Sequence, residues 1–140
     1  MKHIYILNGP NLNLLGVREP EIYGSRRFDD FFSELEERFP HCRLHYFQSN
    51  HEGALIDKLQ QIGFNADGIV LNAAGYTHTS IAIGDTVAAI TSPVVEVHIS
   101  DIYNREPFRR NSYIQAHAVH FICGHGLEGY AEAVSWLLEM

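Results

Sequence analysis

PVVEVHIS, residues 93–100, decides the fold. Residues 93–98 form a nearly continuous apolar run of the kind a central strand of a parallel sheet shows, buried on both faces. Outward from it, the chain alternates short apolar runs with stretches of helical periodicity, which predicts four further strands at 3–7, 43–48, 68–71 and 118–123. Between the first two, a helix is expected from about residue 26 to 39. Ser25 is its candidate N-cap, Phe28, Phe31 or Phe32, Leu35 and Phe39 share one face, and Pro40 ends it. After the second strand, Ser49-Asn50-His51-Glu52 has the form of a capping box. The helix it would open buries Leu55, Ile56, Leu59 and Ile62 and stops at Gly63. A third helix runs to about residue 90 and carries Asp85 among small and apolar residues. The last buries Leu127, Tyr130, Val134, Leu137 and Leu138. Five βα units in 140 residues predict a single α/β domain: a doubly wound, five-stranded parallel sheet in flavodoxin-like order 2-1-3-4-5, with helices on both faces.

This architecture fixes where function belongs. Open α/β sheets bind ligands beyond the carboxyl ends of the strands, where strand order reverses. Beside strands one, three and four those ends carry Asn8 and Asn11, then Asn72 and His78, then Glu96, His98 and Ser100. The loop NGPNLNLLGVREPEIYG, residues 8–24, is far longer than the roughly 2–6 residues of an ordinary βα connection, as lids and binding loops are. It holds three asparagines, Arg18 and Tyr23, and is expected to form one wall of the site.

Composition narrows the chemistry. The net charge is −7, Lys+Arg number only 10, and lysines stand only at 2 and 58, so there is no basic stripe for nucleic acid or an anionic membrane. The apolar run near residue 1 is short for a signal peptide and none is long enough to span a bilayer; a soluble, cytoplasmic protein is expected. Cys42 and Cys123 lack the spacing of a zinc site or disulfide framework. Neither lysine is positioned to reach the crevice, which disfavours Schiff-base chemistry.

Within 93–98, Glu96 and His98 fall on the same side of the strand, so the carboxylate can orient the imidazole as a general acid. The bland alternative is a pair that merely closes a strand end; the position at the switch point favours the catalytic reading. Arg18 beside Tyr23 could lower a phenol that is otherwise useless as a base at neutral pH, although a five-residue separation in a loop fixes no geometry. Arg105 and Arg109 flank the crevice, where a guanidinium would clamp a carboxylate bidentately, and Ser100 could donate to the same anion. Two motifs read as decoys. Gly124-His-Gly-Leu-Glu-Gly129 matches GxGxxG but lacks room for the acidic ribose partner and reads as a tight turn before the last helix. His117 and His120 have no third ligand at suitable spacing, so scattered surface histidines are expected and no metal site.

The blocks NGPNLNLLGVREPEIYG, FQSNHEG, YTHTS, VVEVHIS and REPFR, in this order and spacing, closely resemble the type II 3-dehydroquinate dehydratases across nearly the whole chain. The resemblance implies dehydration of 3-dehydroquinate to 3-dehydroshikimate in the shikimate pathway, with no cofactor and no covalent intermediate, by a homododecamer (a tetramer of trimers). Carried over by position, Tyr23 is the base and Arg18 lowers its pKa. Asn11 helps stabilise the enolate, and His98, oriented by Glu96, protonates the departing hydroxyl. Asn72 and His78 hold ring hydroxyls, Ile99 and Ser100 meet the carboxylate, Arg109 binds a hydroxyl or closes the site, and Asp85 reaches a neighbouring subunit's site. Ala73-Ala74-Gly75 departs from the family's usual placement of glycine, which bears on the loop carrying His78. A non-catalytic carboxylate-binding protein on the same sheet and a metal-dependent hydrolase are the alternatives.

Overall fold

The structure, a computed structural model, describes residues 1–17, 19–23 and 25–140, except the side chains of Pro20 and Tyr23. Strands β1 (Lys2–Asn8), β2 (Cys42–Gln48), β3 (Gly68–Asn72), β4 (Val94–His98) and β5 (His120–Cys123) form one parallel sheet in the order β2-β1-β3-β4-β5, as expected. Helices α1 (Pro20–Tyr23), α2 (Phe28–Arg38), α3 (Glu52–Ile62), α4 (Ile81–Ala89) and α5 (Glu128–Leu138) alternate with them. Among the described residues no helix is long and apolar enough to cross a membrane.

Every residue of β3 and β4 is buried, the physical meaning of their unbroken apolar runs. The period of two sorts their side chains between two cores. Val95 and Val97 pack with Ile4, Phe31, Leu35, Tyr130 and Leu137 under α2 and α5. Val94 packs with Leu55, Leu59, Leu71 and Ile83 under α3 and α4. The same alternation sends Glu96 and His98 to the α4 face and Asn8 and Asn72 to the α5 face, all at the carboxyl end of the sheet.

Helix starts depart from expectation. α2 begins at Phe28 after Arg27 and not behind Ser25, with Asp29 and Asp30 in its first turn, where the helix dipole favours negative charge. The Ser49–Glu52 capping box does not form. Ser49 Oγ accepts from the His51 amide in a local turn, and the Glu52 carboxylate instead accepts from the Ser80 hydroxyl at the start of α4. Ser80 itself caps α4, its Oγ accepting from the Ile83 amide at 2.9 Å. β5 starts two residues later than predicted, because residues 115–117 form a 3-10 turn that Ala118 closes.

Backbones approach closely in two places that matter for the site. A Cβ on Gly9 would lie 2.5 Å from the carbonyl oxygen of Ala73, while the Gly9 amide donates to Asn72 O at 2.8 Å. Gly84 of α4 lies against the Tyr113 carbonyl, which a Cβ would meet at 2.3 Å. Gly9→Ala must therefore push the loop after β1 away from the loop after β3. It is expected to lower stability by about 1–3 kcal/mol, as overpacking does, read as a drop in Tm. An unchanged Tm would mean that the two loops are not held together as described.

Candidate active site

The loops after β1, β3 and β4 enclose a cavity of about 150 Å³. Sites for drug-sized ligands run to about 300–1,000 Å³, so this one is scaled to a smaller molecule. It lies where the order of strands reverses, as the topology requires. From the first loop come Pro10, Asn11 and Leu12; from the second, Asn72, Ala74, Gly75 and His78; from the third, His98, Ile99, Ser100 and Ile102, with Arg105 and Arg109 beyond. Eight of the residues picked out by sequence are thus brought together: Asn11, Asn72, His78, His98, Ile99, Ser100, Arg105 and Arg109.

His98 is the centre of the far wall. It is 4% exposed, and its Nε2 stands 2.6 Å from Oε2 of Glu96, which is fully buried behind it. Glu96 does not line the cavity; it acts on it only through the imidazole. A carboxylate in an apolar strand is costly unless its lone pairs are used. Here they face Nε2 of His98 and take the hydroxyl of Ser112. The imidazole is also flanked by Phe121 at 5.6 Å and by His78 at 6.1 Å between ring centroids.

His78 is fixed by a different partner. Its Nδ1 lies 2.8 Å from the carbonyl oxygen of Asn111, which can only accept, so Nδ1 carries the proton and Nε2 is left for the cavity. Burial holds its pKa below the ordinary imidazole value, and the neighbouring His98 and Arg109 act in the same direction. Folded protein thus favours the neutral ring, which accepts a hydrogen bond from a hydroxyl. The displaced glycine of Ala73-Ala74-Gly75 leaves Ala74 in the left-handed region at φ +53°, with His78 still on the cavity wall.

Asn72 belongs to a buried polar chain that sequence did not disclose. The Ala74 amide donates to its Oδ1 at 3.1 Å, and its Nδ2 donates to the Tyr130 hydroxyl at 2.9 Å. Tyr130 donates in turn to Asn8 Oδ1 at 2.7 Å, and Asn8 Nδ2 to the Tyr46 hydroxyl at 3.2 Å. Burial raises the Tyr130 pKa far above that of a free phenol, so its proton stays in place. Tyr130 had been legible only as an apolar helix position.

The positive groups are at the rim. Arg105 donates to Ser100 Oγ at 3.2 Å, and Arg109 Nε donates to Glu106 Oε2 at 2.9 Å, with its guanidinium over the Phe108 ring. Those arginines hold the Glu106 carboxyl below its ordinary pKa, Arg109 foremost. Asp85 is exposed on α4 and does not line this chain's own cavity. Arg18 lies outside the described residues, as does the side chain of Tyr23, whose backbone ends α1.

The remaining motifs have structural uses. In the GxGxxG segment, the Gly124 and Gly126 amides donate to the Ser100 and Ile99 carbonyls, tying the turn before α5 to the end of β4. His120 stacks on Trp136 with centroids 4.9 Å apart. Among the described residues no three His, Cys, Asp or Glu side chains gather as a metal site would need. Lys58 lies over the Tyr5 and Phe47 rings and does not line the cavity.

Residues 2–138 match the family model described as "Dehydroquinase class II". A 3-dehydroquinate dehydratase of Janthinobacterium sp. (strain Marseille) is 50% identical, over 99% of this chain and 97% of its own. A catabolic 3-dehydroquinase of Aspergillus clavatus is 47% identical, over 95% and 90%. Among solved structures, a type II dehydroquinase from Butyrivibrio crossotus superposes with a TM-score of 0.94 at 42% identity, covering 98% of this chain and 97% of that one. With a match over almost its whole length, a shared fold and a polar cavity at the expected strand ends, the chain belongs to the class II dehydroquinase family of hydro-lyases.

Proposed function

We propose that the protein dehydrates 3-dehydroquinate to 3-dehydroshikimate through an enolate, in the shikimate pathway. The observation that carries this is the convergence of Asn11, Asn72, His78, Ser100 and Arg109 on a small cavity beside a carboxylate-braced His98. The proton to be lost is α to a ketone, so the route needs a base, a stabiliser of the oxyanion and an acid for the departing hydroxyl. Tyr23, with its pKa lowered by Arg18, removes the proton. Asn11 stabilises the enolate through an ordered water, and His98, steered by Glu96, then protonates the leaving hydroxyl. Asn72 and His78 hold ring hydroxyls, Ile99 and Ser100 bind the carboxylate, and Arg109 binds a hydroxyl or closes the site. No metal, organic cofactor or covalent intermediate takes part.

The assembly in this proposal is a cytoplasmic homododecamer, a tetramer of trimers, in which Asp85 completes a neighbouring subunit's site. The exposure of Asp85, and its place outside the lining of its own cavity, support that role.

Purified protein mixed with 3-dehydroquinate is expected to generate the ultraviolet absorbance of a conjugated enone, undiminished by chelator and by borohydride added with substrate. Quinate-like binding without turnover would leave only a carboxylate-binding protein. Inactivation by borohydride would mean an imine, and loss with chelator a metal.

A further inference from the structure

We propose that Ser112 is a positioning residue for the general acid: it holds Glu96 as a permanent hydrogen-bond acceptor and thereby fixes the ring of His98. The proposal rests on the acid role given to His98 above. Ser112 follows the loop that carries Arg109, and nothing in its local sequence marks it out.

Four contacts define its state. The Ile114 and Gln115 amides both donate to Ser112 Oγ, each at 3.1 Å. Backbone N–H groups can only donate, so both hydroxyl lone pairs are occupied. The hydroxyl's single proton must then point outward, and it faces the carboxylate of Glu96, with Oγ 2.8 Å from Oε2 and 3.1 Å from Oε1. A hydroxyl that can only donate favours the ionised form of the carboxyl it meets, since hydrogen bonding to the charged form stabilises it. Ionised Glu96 in turn requires a proton on Nε2 of His98, 2.6 Å away. That leaves Nδ1 as the atom which carries and delivers the catalytic proton. The backbone of residues 112–115 thus sets a tautomer two hydrogen bonds away.

The same segment is firmly anchored. The Tyr113 amide donates to Thr77 O at 3.0 Å, the Tyr113 carbonyl lies against Gly84, and the Asn111 carbonyl holds His78. Other titratable or charged groups face the dyad as well. His78 and Arg109 lie across the cavity, Arg105 is at its rim, and Cys123 with Asp101 lies on the β5 side. None of these donates to Glu96 among the described contacts, so Ser112 is the group whose removal acts on the carboxylate itself.

Without the hydroxyl donor the buried carboxylate is less firmly held and releases His98 from its orientation. In Ser112→Ala, kcat is expected to fall about tenfold with KM little changed, the scale of a hydrogen bond to a charged group. Ser112→Thr, which keeps the hydroxyl, should restore kcat. In ligand-free wild-type protein, nitrogen NMR of the His98 ring should show the neutral form protonated on Nε2. A neutral ring protonated on Nδ1 and bare at Nε2 overturns the proposal, whatever the folding of the variants. So does a Ser112→Ala enzyme whose kcat is unchanged, or a loss that Ser112→Thr fails to reverse. The NMR measurement needs no turnover, so absence of dehydratase activity would remove the functional reading while Ser112 was still tested.

Discussion

His98→Asn is expected to lower kcat by about 10²–10⁴, the usual contribution of a positioned general acid, while KM for 3-dehydroquinate changes little. Asparagine is the informative replacement. Alanine would strip Glu96 of its principal partner, and removing one member of a buried charged pair costs about 3–5 kcal/mol, which would mix unfolding with chemistry. The amide retains a donor toward the carboxylate but has no proton to release near neutral pH. Steady-state kinetics check the expectation, and exchange of the substrate's α-proton with deuterated solvent sharpens it. His98 acts after that proton has left, so exchange should continue in the variant even as product formation collapses. A variant with wild-type kcat would remove His98 from the reaction.

Tyr23→Phe is expected to reduce kcat by a similar factor of about 10²–10⁴, but with the opposite isotopic signature: α-proton exchange should vanish together with turnover. A free phenol titrates near 10, and a guanidinium within about 4–6 Å is the ordinary means of bringing its charged form into range. In the proposed function Arg18 is that guanidinium. Losing the phenolic oxygen removes no substrate-binding group assigned to the wall, so KM should hold. Persistent exchange in Tyr23→Phe would assign the base to another group.

Much of the fold was present in local pattern. The runs at 68–71 and 93–98 are apolar because both faces of β3 and β4 are covered. The order of strands then placed the cavity before any contact was known. What sequence concealed are contacts whose partners lie far apart along the chain. Tyr130 looks like one more apolar residue on a helix, yet its hydroxyl joins Asn72 to Asn8, 58 and 122 residues away respectively. Ser112 is a plain loop serine until the sheet brings Glu96 beside it. The capping box misled for the same reason: Glu52 had a better partner in Ser80 than its own helix terminus. Arg18 and Tyr23 show the converse case, since motif and spacing single them out although Arg18 and the side chain of Tyr23 are outside the described residues.

The amide of Asn72 cannot turn over. The Ala74 backbone N–H pins its oxygen and Tyr130 engages its nitrogen, so the nitrogen has one N–H left to give, at a position the oxygen cannot take. That part of the wall therefore discriminates by lone pairs: an oxygen bearing one is welcomed there, whereas an ammonium or amide N–H at the same point would meet hydrogen head-on. In the proposed reading, that preference for an oxygen over an N–H is set by Tyr130 of α5, a helix that does not line the cavity.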